Sequence, residues 1–281
     1  MSFIRIFSQS QTDKLTSETL INKFTGESNA KLFEKLKDDV LKGEVFPAVR
    51  INELHFYYKG GCLFRFADGM FKRNKNYPKF GVGYGHLPPY EKAKKENEEK
   101  FKNSAGGESE RQLLDRLCRH TFGPEKNTNV VVLDIEVNLS GQAVRKCDLV
   151  LLNTQTDEIM FVEGKVFSDS RVNVAVSFTP EVIEQVNTYT AAIAAQRQTI
   201  LEQYARDIEI INKLFNTSFR PPERLIEPAK LLVYGTPQTT TKNGEYSIQK
   251  INAALGAGNV LWVPSSASPS LDIIWNNLSA R

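Results

Sequence analysis

Apolar and polar positions alternate most tellingly in the middle of the chain. An apolar run over 146–152 and a second over 158–167 flank Asn153, Thr154 and Asp157, which favour turns, so the pattern predicts a β-hairpin. Residues 129–137, 229–235 and 259–263 read as further strands of buried type. Helical spacing marks 16–24, 30–42 (ended by Gly43), 107–118, 180–193, 196–215, 247–255 and 270–278. Near the N-terminus, 53–58 and 62–66 predict strands joined by a tight turn at Lys59, Gly60 and Gly61. Strands and helices alternate in the second half, so the expected class is α/β. A boundary at Ser104–Gly107 separates an N-terminal helical and β-hairpin region, 1–104, from an α/β domain, 105–281.

Charge falls where the hairpin should be apolar. Asp148 interrupts the first strand, and Glu163 and Lys165 lie inside the second, where burial of an unpaired charge is costly. Residues two apart on a strand share a face, so Glu163 and Lys165 project together. With Asp148 turned the same way, two carboxylates and an ammonium meet in one solvent-open pocket suited to a metal ion. Asp134 and Glu136 are also two apart, but no Lys follows Glu136, and both are expected at an edge or on a solvent face. Glu98-Glu99-Lys100 repeats the Glu-x-Lys spacing in a charged run with no strand around it.

An Asp followed by a hydrophobic strand carrying Glu-x-Lys resembles the signature of the PD-(D/E)XK nucleases, the restriction-endonuclease-like superfamily. Here it reads Asp148, then Glu163-Gly164-Lys165, with Cys147 where the nominal motif has Pro. Downstream, Gln185 and Tyr189 lie four apart on one side of a helix. That arrangement is similar to the exonuclease-type, RecB-like branch, in which the Gln helps orient the site or the nucleic-acid backbone. Upstream, Ser109 and Gln112 have capping-box spacing, and Glu110 shares a face with Leu113, Leu114 and Leu117. The resemblance covers about residues 107–265 and implies an αβββαβ core, a mixed sheet flanked by helices. It implies a metal-dependent nuclease, with DNA the expected substrate. Asp148, Glu163, the Gly164 carbonyl and Glu110 would hold Mg²⁺ or Mn²⁺, Lys165 would stabilise charge, and Gln185 would complete the catalytic set. The alternative is a nuclease fold that binds nucleic acid or a protein partner without cutting.

Charge supports a nucleic-acid partner in one stretch. Between 57 and 79, Lys59, Arg65, Lys72, Arg73, Lys75 and Lys79 stand against Asp68 alone. Lys59, Arg65, Lys72, Arg73 and Lys75 are therefore the expected phosphate contacts, and Tyr189 is added as a nucleic-acid-binding candidate. The interleaved aromatics are read first as the core face of the hairpin. The Gly-rich run 81–85 lacks the helix and Lys of a phosphate-cradling loop.

Composition excludes more than it assigns. The 281 residues are 41% hydrophobic and 25% charged with net charge +3, values that permit a nucleic-acid partner without demanding one. Three widely spaced Cys without a Cys-x-x-Cys argue against disulfides or a zinc centre and for a reducing, cytoplasmic setting. No apolar run nears the ~18 residues of a membrane span, so no membrane partner is expected. Oligomeric state is left open, a homodimer included.

Overall fold

The computed structural model describes residues 5–6, 17–24, 27–50, 53–73, 87–101, 109–119, 121–122, 128–139, 146–235, 241–264, 267 and 269–280. In chain order the elements are β1 (Arg5–Ile6), α1 (Ser17–Phe24), α2 (Glu27–Leu41), β2 (Phe46–Arg50), β3 (Glu53–Tyr58), β4 (Gly61–Ala67) and β5 (Met70–Lys72). There follow α3 (Tyr90–Phe101), α4 (Glu110–Cys118), β6 (Val130–Asn138), β7 (Cys147–Asn153), β8 (Glu158–Val166) and α5 (Glu181–Phe215). The last elements are β9 (Arg224–Tyr234), α6 (Lys242–Leu255), β10 (Val260–Val263) and α7 (Leu271–Ser279). The class is α/β, with two sheets, one mixed and one antiparallel. Among the described residues no helix is long and apolar enough to cross a membrane.

Packing divides the chain into two compact units. One comprises 1–8, 128–204 and 220–281, and the other 9–127 and 205–219. This division departs from a single boundary near 104: α4 and the segment 205–219 group with the N-terminal elements. The expected boundary at Ser104–Gly107 and the Gly-rich run 81–85 lie outside the described residues.

The first unit is built on a six-stranded sheet ordered β1-β6-β7-β8-β9-β10. β6, β7 and β8 form an antiparallel meander, while β8, β9 and β10 run parallel. Parallel neighbours require a crossover, and α5 joins β8 to β9 as α6 joins β9 to β10. β8 is buried on both faces, with Ile159 and Phe161 on one and Met160 and Val162 on the other, as a central strand requires. α5 lies over the Phe161 face: the Tyr204 ring packs against Phe161 at 6.3 Å, and its hydroxyl donates to Asp134 Oδ2 at 3.2 Å. The helix kinks at Gln196, where φ is −123°. There the Gln196 amide donates to the carbonyls of Ala192 and Leu139, each at 3.3 Å, inserting a side chain into the helical ladder.

The second unit holds an antiparallel sheet β2-β3-β4-β5. β2 and β5 add a strand to each side of the expected hairpin. The aromatics of this region form its core: Phe24 stacks on Phe33 at 4.1 Å and meets Phe66 at 4.4 Å. The β3–β4 turn passes through Lys59 and Gly60, both at positive φ. At Gly61 an added Cβ would lie 2.0 Å from the Phe101 ring, so only Gly fits there. α4 starts with the expected capping box, Ser109 Oγ accepting from Gln112 N at 3.3 Å and Gln112 Oε1 from Ser109 N at 2.9 Å.

Candidate active site

Asp148 stands on β7 and Glu163 and Lys165 on β8. The register Leu149↔Val162, continued by one residue, sets Asp148 opposite Glu163, so the three side chains share one face of the sheet. Their functional groups converge. Lys165 Nζ donates to Glu163 Oε1 at 2.5 Å and to the Gly164 carbonyl at 2.7 Å, and lies 3.5 Å from Asp148 Oδ2. Asp148 Oδ2 accepts the Gly164 N–H at 2.9 Å, which fixes the carboxylate against the neighbouring strand. From α5, Gln185 Nε2 donates to Glu163 Oε1 at 2.6 Å and to the Tyr189 hydroxyl at 2.8 Å. The four-residue spacing of Gln185 and Tyr189 thus builds a chain from helix to hydroxyl to amide to carboxylate.

Burial sets the electrostatics. Glu163 and Lys165 are 1% and 2% exposed, and the Asp148 side chain keeps 17%. Of the three, Asp148 alone keeps appreciable contact with solvent. Burial pushes the Asp148 carboxyl above the usual range; the Lys165 charge and the Gly164 N–H pull it back, and the Glu136 charge adds to the rise. Burial also raises the Tyr189 phenol well above the ordinary tyrosine range, with the Glu163 charge acting the same way. The Cys147 thiol is raised by burial and accordingly stays protonated and inert.

The oxygens around the Lys165 ammonium are two carboxylates and a main-chain carbonyl. These are hard donors of the kind Mg²⁺ and Mn²⁺ take, and in this state the ammonium is their cation. Among the described residues no three His, Cys, Asp or Glu side chains form a metal cage of their own. A metal ion here needs the Gly164 carbonyl and a shift of the ammonium.

Glu136 is the residue that sequence reasoning set aside. The pairs Val137↔Cys147 and Ile135↔Leu149 place it directly across from Asp148. Glu136, Asp148 and Glu163 therefore form a cross-strand row over β6, β7 and β8. Glu136 has φ 51°, unusual for a non-glycine residue, and its side chain is 42% exposed beside Lys146 at 3.5 Å. The available signal was its own alternation with Asp134 two residues earlier. Asp134, also expected on a solvent or edge position, is instead buried beneath Tyr204, because β6 is an interior strand flanked by β1 and β7.

The remaining described candidates, Tyr189 apart, belong to the second unit. Glu110 opens α4 in the other unit, half-buried. Tyr189, expected among the nucleic-acid contacts, is 0% exposed; burial leaves its ring no surface on which a base could stack. Arg65 pairs with Glu53 at 3.3 Å, Arg73 with Glu96 at 2.8 Å, and Lys72 with Asp68. Lys59 lines a cleft of about 440 Å³ with Lys95, Arg116 and Arg119, where Glu98, Glu99 and Asp115 offset most of the charge. Lys75 lies outside the described residues.

Comparisons with protein-family models, with curated proteins and with solved structures find no match.

Proposed function

We propose that this protein is a divalent-metal-dependent phosphodiesterase of the restriction-endonuclease-like, PD-(D/E)XK kind, acting on nucleic acid, with DNA the first substrate to test. The observation that carries this reading is the convergence of Asp148, Glu163 and Lys165 from adjoining strands around one point, with the Gly164 carbonyl completing an all-oxygen donor set. The order β6-β7-β8-α5-β9 matches the βββαβ part of the core that the resemblance implies. A divalent ion held by Asp148, Glu163 and the Gly164 carbonyl would polarise a phosphoryl oxygen and acidify a bound water. Gln185 holds Glu163 in its ligating orientation, and Tyr189 holds Gln185. Lys165 neutralises charge developing on the phosphoryl group. Its place between two carboxylates suits electrostatic stabilisation better than proton abstraction.

A second reading takes support from the same contacts. A buried Lys satisfied by Glu163 and a carbonyl is also what a structural ion pair in a non-cutting nucleic-acid or protein-binding relative would look like. Single- and double-stranded DNA and RNA, incubated with Mg²⁺ or Mn²⁺, separate the two. Metal-dependent cleavage reduced at least about 100-fold in Glu163→Gln and Lys165→Ala supports the hydrolase. Binding without cleavage favours the second reading, and neither binding nor cleavage overturns the hydrolase and leaves only the protein-binding form of the second reading.

A further inference from the structure

A second charged site lies on the opposite face of the same sheet. The parallel register pairs Glu163 with Leu231 and Val162 with Lys230, so Lys230 projects away from the Asp148 cluster. Lys230 is 4% exposed, and among the described residues its one polar partner is a neutral one, Asn259 Oδ1 at 2.6 Å. Burial lowers its ammonium below the usual lysine range, and among the described residues no carboxylate acts against that shift. A structural position of this kind is served more cheaply by Met or Leu, because a desolvated cation without a counter-charge destabilises the fold. The ammonium is also not sealed in. It lines a cleft of about 500 Å³, a volume typical of small-molecule sites.

The rim of that cleft carries two more cations. Arg197 reaches Glu227 at 3.2 Å and Arg224 reaches Glu158 at 3.3 Å, and both arginines are largely exposed. Such solvated pairs are weak and exchange partners readily, and a guanidinium fork matches a phosphate better than it matches one carboxylate oxygen. The two glutamates cancel the two arginines, so the uncompensated charge of the cleft is the buried Lys230 ammonium at its floor.

We propose that this cleft binds a small phosphate-bearing ligand, a phosphate monoester or free phosphate, seated on Lys230 and Asn259 and clasped by Arg197 and Arg224. The site is independent of the hydrolase reading. The ligand supplies the counter-charge that Lys230 lacks, while Asn259, whose Oδ1 accepts from Lys230, holds the ammonium towards it.

Calorimetric titration of the full chain at low salt in EDTA tests this, with inorganic phosphate and a nucleoside 5′-monophosphate as probes. Expected is saturable 1:1 binding that weakens at least tenfold in Lys230→Met and in Arg224→Gln, both folded by circular dichroism. A nucleotide binding more tightly than phosphate identifies the ester as the ligand, and equal affinities identify free phosphate. Glu163→Gln keeps the affinity unchanged, because it alters only the other face. Absence of saturable binding by both probes overturns the proposal, as do affinities within twofold of wild type in both cleft variants. Tighter binding in Glu163→Gln overturns it too, since that places the phosphate beside Lys165.

Discussion

Replacing Lys165 by Met keeps most of the aliphatic stem and removes the ammonium. Glu163, almost wholly buried, then loses a cation 2.5 Å away and keeps the 2.6 Å hydrogen bond from Gln185. Removing one partner of a buried pair costs about 3–5 kcal/mol. The surviving bond to a charged acceptor is worth about 1.5–3 kcal/mol, which puts the expected loss at the lower end, about 3 kcal/mol. Asp148 adds little, since it keeps the Gly164 N–H and some solvent. Neutralising both partners in Glu163→Gln/Lys165→Met leaves no unpaired charge and restores about 2 kcal/mol of the loss.

The same variant reports on metal without any turnover. With the ammonium gone, a divalent ion is the natural cation for the three oxygens, and ligand excess of a hundredfold over Kd stabilises by about 2.7 kcal/mol. Mn²⁺ therefore stabilises Lys165→Met more than wild type, in which the ammonium competes. Urea unfolding followed by tryptophan fluorescence reads the relevant unit selectively, because Trp262 and Trp275 both belong to the unit with the six-stranded sheet. Wild-type stability in Lys165→Met, or equal stabilisation of both proteins by Mn²⁺, refutes the reasoning.

Glu136→Gln removes a negative charge that helps raise Asp148, so the Asp148 pKa falls while Mn²⁺ affinity drops severalfold; carboxyl NMR and calorimetry check the two halves. Stability changes by no more than about 0.5 kcal/mol, because the side chain is surface-exposed. Tyr189→Phe deletes the hydroxyl that accepts from Gln185, costing about 1 kcal/mol, and on the hydrolase reading kcat falls more than substrate affinity. In the other unit, burial holds the His55 imidazole below its usual range despite the hydrogen bond to Glu53 at 2.7 Å. The unfolded chain then binds the proton first, so stability contributed by neutral His55 is present above pH ~6.5 and is lost as pH falls through the folded value. His55→Gln flattens that acid limb in a denaturation series from pH 7.5 to 5.

The site strands were legible in the sequence because charge broke an apolar pattern. Asp148, Glu163 and Lys165 interrupt strands built largely of Val, Ile, Leu, Met and Phe, and only clustering makes such interruptions tolerable in a buried sheet. Gln185 and Tyr189 were legible from helical spacing, although the depth of Tyr189 was not, since a tyrosine carries no local signal of its exposure. Glu136 was missed for want of register. Which residue of β6 faces Asp148 depends on the irregularity between Val132 and Asp134, a backbone feature that alternation does not encode. Asp134 was misplaced because the sheet continues beyond β6 through a parallel pairing with β1, a contact between residues more than 120 positions apart. The grouping of 205–219 with the N-terminal elements is long-range in the same sense.

The sides of the cluster differ, and that difference orders events at the site. Towards β9, Glu163 and Lys165 neighbour Leu231 and Val233, both apolar and fully buried. Towards β6 stand Asp148 and Glu136, the two partly exposed carboxylates. A phosphodiester coming to Lys165 must pass these two charges, and like charges a few ångströms apart repel unless a cation lies between them. On the hydrolase reading, metal therefore binds before substrate. With Ca²⁺ as a non-hydrolysing substitute, oligonucleotide affinity should rise at least about tenfold over EDTA, roughly 1.4 kcal/mol. Glu136→Gln should narrow that ratio by raising affinity in EDTA. Equal affinity with and without Ca²⁺ in wild type would mean that nucleic acid is held elsewhere on the chain.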